Sequence, residues 1–435
     1  MTPRKLVLVG AGSASFTVGL VADVLSSTRE ADWTIGLVDI NEQALGVAQG
    51  LVQRMVQKKG VPVKVEASTD RCDLLPGADA VVTTIAVGGR KAWEDDITVP
   101  LEHGIRQPVG DTVMAGGISR ALRQIPPMID IARDLARLCP QAYFFNYSNP
   151  MAAICRALTK TGAAGSRGVV GLCHGVQGTL RYLCGLIQVP YREVSALYVG
   201  INHLTFITHV TLEGEDLWPR IRERMTSLPE DENPFSWELF RTYNAFPAVL
   251  DRHAMEFFPE RFGAGNYYGM TIGRDAYNIL ETIHNGELRF EQMARQARGE
   301  EPLEDGLFNR VLGEHEALVP ILDSLSGDCG EVFPMNVPNQ VVPQIPAGFV
   351  LEMPVAAYQA GCLPLSLPPV PVGVAAWVTE ALYGVELTVE AALQGSHELL
   401  VQALLYDRCV TDLRAATRLA DDLLAAHKAH LPQFS

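Results

Sequence analysis

The sequence predicts an α/β protein whose first half forms a doubly wound parallel sheet and whose second half forms an α+β domain. Apolar runs at residues 5–9, 33–38 and 80–85 alternate with segments of helical periodicity. Such alternation is typical of parallel sheets covered by helices. After about residue 190 the alternation ends, and strand-like segments follow one another without helices between them. The change of pattern predicts two domains.

The first predicted domain spans residues 1–190 and is Rossmann-like, because its first strand runs into a glycine turn that opens a helix. At roughly 100–200 residues per domain, a chain of this length has room for two. The same patterns predict further elements: strands at 62–67, 143–147 and 168–172, and helices at 16–25 and 42–59.

The second predicted domain, residues 191–435, is expected to carry the substrate and metal contacts and the oligomer interface. Residues 194–213 are strand-like throughout, which favours an antiparallel sheet. Residues 333–370 are rich in proline and are expected to form extended loop and edge strand. Residues 374–431 have helical periodicity.

Composition restricts the class of protein and its partners. The 435 residues are 48% hydrophobic and carry a formal net charge of -15, which argues against nucleic acid and anionic membranes as partners. Eight cysteines without a CxxC pair are typical of free thiols. The N-terminal apolar run is a short strand rather than a signal peptide, so we expect a cytoplasmic protein.

A dinucleotide site is predicted at the end of the first strand. Gly10 and Gly12, with Ser13 and Ser15, form a GxGxxS turn between a strand and a helix. Such a turn brings backbone N–H groups close to a pyrophosphate. Asp39 ends the second strand, where a carboxylate accepts hydrogen bonds from ribose hydroxyls, and its charge favours NAD over NADP.

The groups that follow the fifth and sixth strands suggest the chemistry. Asn149 precedes Pro150 in NYSNP, a turn similar to the Asn-Pro turn of lactate and malate dehydrogenases, but the Asp and Arg pair of those enzymes is missing. Cys173 and His174 follow the next strand instead, and Asn202 and His203 lie thirty residues further on. A thiolate and an imidazole are competent ligands for a divalent transition metal, although both residue types are also common in cores.

At these residues the sequence resembles glycoside hydrolase family 4, and the resemblance covers nearly the whole chain. It rests on seven segments in the same order: GAGSASF (10–16), VGDT (109–112), NYSNPM (146–151), CHGV (173–176), GINHLTF (200–206), DRHAMEF (251–257) and VPNQ (337–340). Met114-Ala115 departs from the more usual Gly-Pro.

The resemblance implies an NAD-dependent glycosidase that uses Mn²⁺ or a similar divalent metal in a transient redox cycle at C3 and C2 of the sugar. Cys173 and His203 would hold the metal, and Asn149 and Asn202 would contact the sugar. The family's usual dimers and tetramers imply a homodimer or homotetramer.

Three catalytic residues are predicted on the same grounds. Asp251 is the candidate base at C2, with Tyr243 as its substitute. His174 is the candidate general acid, although it could also only bind sugar hydroxyls. Asp111 is expected to bind sugar hydroxyls or transfer protons, the alternative being a helix N-cap.

The CHGV tetrad implies a sugar without a phosphate, and the DRHAMEF segment looks most like the α-galacturonidase branch. A uronate would need a cation, and Arg252 is the best-placed candidate, with Arg120 in reserve. Arg252 could instead pair with Glu256 on a helix surface. An α-galactosidase, α-glucosidase or α-glucuronidase remains possible at this stage, as do a plain NAD-dependent sugar dehydrogenase and a non-catalytic NAD-binding sensor.

Overall fold

The fold is built on one large sheet. The computed structural model describes residues 4–14, 16–27, 32–308 and 317–434. Within these residues, thirteen strands join in a single sheet and two short strands pair separately. The strands are β1 (Arg4–Val9), β2 (Trp33–Val38), β3 (Lys64–Ser68), β4 (Ala80–Thr83), β5 (Tyr143–Asn146), β6 (Val170–Gly171), β7 (Val194–Ile201), β8 (Leu204–Leu212), β9 (Glu215–Asp216), β10 (Phe246–Pro247), β11 (Asn266–Tyr267), β12 (Met270–Thr271), β13 (Glu331–Pro338), β14 (Val350–Tyr358) and β15 (Gly361–Pro364).

Sixteen α-helices within the described residues accompany the sheet. They are α1 (Thr17–Ser27), α2 (Glu42–Lys59), α3 (Arg71–Leu74), α4 (Gly89–Glu102), α5 (Met114–Leu138), α6 (Met151–Thr161), α7 (Gly175–Leu186), α8 (Trp218–Met225), α9 (Pro234–Tyr243), α10 (Leu250–Ala254), α11 (Pro259–Phe262), α12 (Ile279–Arg298), α13 (Leu318–Gly327), α14 (Val372–Gln394), α15 (His397–Tyr406) and α16 (Leu413–Ala426).

The first six strands are parallel and lie in the order β3-β2-β1-β4-β5-β6. This is the strand order of dinucleotide-binding folds, so the Rossmann-like prediction is confirmed. The central strands are apolar on both faces because helices cover both: Leu6, Ile35 and Val81 are fully buried. The carboxyl ends of β1, β5 and β6 therefore open on a common edge.

The second half extends the same sheet rather than forming a separate one. β13 pairs with β6 at Asn336 and Gly171, and β14, β7, β8 and β10 follow in antiparallel pairs. The predicted boundary near residue 190 falls between α7 and β7. The division into two domains at this boundary stays a prediction, because one sheet continues from the first half of the chain into the second.

The prediction that residues 333–370 form only loop and edge strand is wrong. They contain β13 and β14, which lie inside the sheet. Proline is tolerated there because Pro334 and Pro354 are opposite each other, and β13 touches its other neighbour only at Asn336. A proline that faces no further strand removes no hydrogen bond from the ladder.

Within the described residues, one helix, α14, is long and apolar enough by length and composition to cross a membrane. It packs on the protein instead, because Glu386 forms ion pairs with Arg156 and Lys160 of α6. Core helices of globular proteins commonly pass the same test. All eight cysteines are free thiols, as predicted.

Candidate active site

The glycine turn has the close packing expected of a dinucleotide site. Gly10 has a φ of 95°, and Gly12 donates its N–H to Asp39 Oδ2 at 2.8 Å. A Cβ atom at Gly12 would lie 2.8 Å from that oxygen and 2.7 Å from Ala44 Cβ. Only glycine therefore lets the turn approach the carboxylate. Ser13 Oγ accepts the N–H of Phe16, whereas Ser15 lies outside the described residues.

Cys173 and His174 connect β6 to α7 at the carboxyl edge of the sheet. Cys173 is half-buried and its Sγ accepts the N–H of Gly175 at 3.4 Å, while His174 is exposed. Gly175 is required here because a Cβ atom would lie 2.2 Å from Val249 Cγ1. The thiol of Cys173 therefore lies at the N-terminus of a helix, where the helix dipole favours an anionic ligand atom.

Asn202 and His203 form the tight turn between β7 and β8. His203 has a φ of 64°, in the left-handed region that residues other than glycine rarely adopt. Both side chains are buried, and no hydrogen bond of ordinary geometry reaches the Asn202 amide within the described residues, although the Glu352 carboxyl group lies beside it. A buried amide without partners is costly, so this turn is prepared for a ligand or water.

A hydrogen-bonded chain fixes the orientation of His203. Its Nδ1 lies 2.7 Å from Thr112 Oγ1, which donates to Asp111 Oδ1 at 2.8 Å. Because the threonine hydroxyl has only one hydrogen, His203 must donate from Nδ1, which leaves the lone pair on Nε2. Burial, followed by the field of His253, holds the pKa of His203 well below its usual range. A neutral imidazole with a free Nε2 is the form that binds metals.

Asp111 lies at the centre of the site. Its Oδ2 accepts Asn149 Nδ2 at 3.0 Å, while Asn149 Oδ1 is buried and has no partner within the described residues. Burial alone would raise the pKa of Asp111, but the fields of His253, His203 and Arg120 outweigh it and lower the pKa to about 2. Asp111 does not cap α5, whose N-cap is Val113, so the alternative role considered for it is excluded.

His253 and Glu256 complete the cluster and were not predicted as site residues from the sequence. The rings of His203 and His253 lie 4.0 Å apart, and ligand atoms of Asp111, His203 and His253 all lie within 4.8 Å of one another. Glu256 is buried and accepts the N–H of Gly110 at 2.6 Å, with its other oxygen 3.3 Å from His253 Nδ1. Burial raises the pKa of Glu256 to about 7.

Asp251, the predicted base at C2, is held by a dense set of hydrogen bonds. Its two oxygens accept four of them, from the N–H groups of Phe235 and Ser236, the Ser236 hydroxyl and the Tyr267 hydroxyl, at 2.5–2.9 Å. The side chain is fully buried. Its lone-pair directions are occupied by groups at the start of α9 and by Tyr267, and its role as the base stays a prediction.

Tyr243, the substitute base, has contacts of its own. Its hydroxyl accepts the indole N–H of Trp377, and its ring packs on Phe206. Arg252 is half-buried, and its Nε atom has no hydrogen-bond partner within the described residues. The predicted alternative, an ion pair with Glu256, is absent because Glu256 is bonded to Gly110 and His253. Arg120 donates to the carbonyl of Asn149 at 3.1 Å.

The site thus brings together Asp111, Asn149, Asn202 and His203. His174 contributes to the electrostatic field at His203. Cys173 is adjacent to His174 but is not part of the group of three close ligands. The signal that could have revealed the missed residues is the spacing of His253 and Glu256, since residues three apart on a helix are neighbours.

The fold and the site define an α/β enzyme of the dinucleotide-binding type, with a carboxylate and imidazole cluster at the carboxyl edge of its sheet. The chain belongs to the family 4 glycosyl hydrolases: residues 5–189 match the family 4 glycosyl hydrolase profile, and residues 198–410 match that of the family's C-terminal domain.

Its relatives differ in substrate. The chain is 28% identical to an α-glucosidase of Erwinia rhapontici, over 98% of each chain. It is 29% identical to an α-galacturonidase of Thermoanaerobacterium saccharolyticum, over 98% of this chain and 96% of the relative. A solved 6-phospho-α-glucosidase from gut microorganisms, in complex with NAD and Mn²⁺, shares the fold with a TM-score of 0.86 at 19% identity over the full length of both chains.

Proposed function

We propose that this glycoside hydrolase depends on NAD⁺ and a divalent metal such as Mn²⁺. The observation that carries the proposal is the cluster of Asp111, His203 and His253, which could hold a metal ion. The turn at Gly12 has the tight packing of a dinucleotide-binding turn, and the cluster offers a neutral imidazole and an anionic carboxylate. When bound, NAD⁺ would supply a hydride acceptor for the sugar, and the metal would supply Lewis acidity toward the sugar hydroxyls.

The metal ligands are proposed as His203 and Cys173, with Asp111 beside them. His203 is oriented through Thr112, and outer partners of this kind typically fix a metal ligand. Cys173 enters through the family resemblance. Asn149 and Asn202, which have unsatisfied buried amide atoms, are proposed to bind sugar hydroxyls.

Proton transfer is proposed for His253 and His174. With Asp251 and Tyr243 engaged elsewhere, His253 is the base candidate that faces the cluster. Glu256 lies behind it at 3.3 Å, as the orienting carboxylate does in catalytic pairs. His174, exposed at the start of α7, remains the proposed acid that protonates the leaving oxygen.

The test of these roles combines metal binding with turnover. Activity should require both NAD⁺ and Mn²⁺, and chelation should abolish it. Cys173→Ser and His203→Asn should lose Mn²⁺ affinity in calorimetry, whereas His253→Asn should keep it and lose turnover. If His253→Asn also loses Mn²⁺ affinity, His253 is a ligand rather than the base. Full activity in chelator would refute the metal, and stoichiometric NADH without sugar release would indicate a dehydrogenase.

The proposed substrate is an α-linked uronide, with α-galacturonide favoured over α-galactoside or α-glucoside. A relative with this activity aligns over nearly the whole chain. The buried Nε of Arg252 without a partner supports an anionic ligand, because a guanidinium binds a carboxylate through two parallel hydrogen bonds. Such a pair contributes about 1.5–3 kcal/mol, hence about 10- to 150-fold in specificity.

Comparison of kcat/KM for the α-galacturonide and the α-galactoside tests the substrate. Wild type should prefer the uronide, and Arg252→Met should lose that preference. Arg261→Met, a change at an exposed arginine paired with Glu238, is the matched control. A wild-type preference for the neutral sugar would exclude the uronide. If Arg252→Met does not change the ratio of the two kcat/KM values, the uronide remains the proposed substrate but Arg252 does not recognise it.

A further inference from the structure

A buried carboxyl group lies beneath the turn that carries His203. Glu352 is in β14, opposite Gly200 of β7, and is only 1% exposed. Its Oε2 is 2.6 Å from Thr205 Oγ1 and its Oε1 is 3.2 Å from Asn336 Nδ2, and Asn202 lies beside it. Within the described part of the chain, no lysine, arginine or histidine pairs with it.

The number of hydrogens shows which form of Glu352 is present. Thr205 Oγ1 also lies 3.2 Å from the carbonyl oxygen of Ile201. A threonine hydroxyl has one hydrogen, and a carbonyl and a carboxylate can only accept. Both contacts are full two-centre hydrogen bonds at the same time only if Glu352 is protonated, because an ionised Glu352 would draw the Thr205 hydrogen away from the Ile201 carbonyl. Glu352 then donates to Thr205, and Thr205 donates to Ile201.

We propose that Glu352 is an uncharged carboxylic acid that acts as a positioning residue for the Ile201–Thr205 turn, and through it for His203. Burial acts in the same direction, since it raises the pKa of Glu352. An anion here would lack a cationic partner, which is strongly unfavourable in a sheet interior.

The turn needs such support because of its backbone. His203 adopts a left-handed conformation, which persists only when the surrounding structure holds it. The bond from Thr205 to Ile201 joins the two sides of the turn, and Ala248 donates to the Thr205 carbonyl at 2.7 Å. If Glu352 lost its hydrogen, Thr205 would no longer donate to Ile201, and the His203 imidazole would no longer be held in position.

Infrared spectroscopy of the protein without metal tests the protonation state at neutral pH. The difference between wild type and Glu352→Gln should show the loss of a protonated carboxyl band. Glu230→Gln, at an exposed loop position, is the matched control and should show the loss of carboxylate bands instead. Carboxylate bands that disappear in Glu352→Gln would overturn the proposal.

Calorimetric binding of Mn²⁺ alone tests the positioning role. Glu352→Gln should leave the affinity unchanged, because an amide N–H₂ can also donate to Thr205. Glu352→Leu and Thr205→Val should each weaken it about 10-fold or more, the usual effect of removing an outer partner of a ligand. The double variant should be no weaker than either single one, since both break one chain.

Failure of Glu352→Gln to fold, or a loss of Mn²⁺ affinity equal to that of Glu352→Leu, would also overturn the proposal. The positioning role rests on the proposed metal site, but the protonation state does not. If wild type binds no Mn²⁺, the proposed function fails, and the infrared result still decides whether Glu352 is protonated.

Discussion

Two residues near the site hold backbone conformations that favour glycine. His203 and Met114 have φ values of 64° and 57°. Each left-handed residue other than glycine costs on the order of 1 kcal/mol, so other contacts must hold it. Thr112 holds the His203 ring, and Asp407 Oδ2 accepts the N–H of Met114 at 3.1 Å.

Asp407 predicts a pH dependence of stability. Burial raises its pKa from 3.8 to about 6. The folded protein therefore binds this proton more tightly than the unfolded chain, so the contribution to stability is complete below about pH 4 and is lost as the pH rises through 6. Asp407→Asn does not ionise, and its stability relative to wild type should improve by about 2–3 kcal/mol between pH 4 and pH 7.

Thermal unfolding of both proteins across that pH range measures the difference. Asp231→Asn, which changes an exposed carboxylate, is the control and should follow wild type. A constant difference between Asp407→Asn and wild type would show that Asp407 is ionised throughout.

The surroundings of Asp251 show how much the sequence could predict about a single side chain. Asp251 and His253 are two apart on a short helix, and such residues point to different sides. If His253 faces the cluster, Asp251 cannot. The sequence indicated that this segment belongs to the site, but not which of its side chains face the site. A five-residue helix has too few apolar positions to define its buried face.

At the scale of elements, the β7–β8 hairpin positions Asn202 and His203 of the site. The strand-like run at 194–213 predicted these strands, and their antiparallel pairing is confirmed. The turn was not located in advance, because Asn202-His203 is not a usual two-residue hairpin sequence. Its conformation depends on Thr112 and Glu352, which are distant in the sequence.

The start of α9 depends on Asp251, which predicts a loss of stability rather than of chemistry. Its carboxylate accepts the N–H groups of Phe235 and Ser236, the second and third residues of a helix that begins at Pro234. Asp251→Ala leaves buried donors without an acceptor and should lower the free energy of unfolding by about 3 kcal/mol or more. Ser236→Ala, which removes one side-chain donor, should cost about 1 kcal/mol.

Denaturant unfolding of the two variants measures these costs. At a temperature where Asp251→Ala remains folded, its turnover should be close to that of wild type. A folded, fully stable Asp251→Ala without turnover would restore Asp251 as a catalytic residue.

At the scale of the whole molecule, local patterns predicted both halves but not how they join. The alternation of strands and helices in residues 1–190 was sufficient to predict a parallel sheet, since each strand–helix unit packs on its neighbour. The junction of β6 with β13 pairs Gly171 with Asn336, and no local pattern indicates a contact between residues so far apart. The prolines of β13 argued against a strand inside the sheet, and for that reason the sequence analysis did not place β13 there.

The continuous sheet predicts that the chain unfolds as one unit. Separation of the halves would expose the edge of β6 and the faces of α5 and α6 that pack on α14. Calorimetry should therefore show a single transition with equal calorimetric and van't Hoff enthalpies. NAD⁺ at 100 times its Kd should stabilise the fold by about 2.7 kcal/mol and raise the Tm of the whole transition by roughly 3 °C.

Gly12→Ala is the matched control for the NAD⁺ effect. Its Cβ atom would lie too close to Asp39 and Ala44, so the turn must shift and the NAD⁺-dependent rise in Tm should disappear while the transition stays single. Two transitions, of which NAD⁺ moves only one, would show that residues 1–190 and 191–435 unfold independently. In that case the pairing of β6 with β13 would contribute little to the stability of either half.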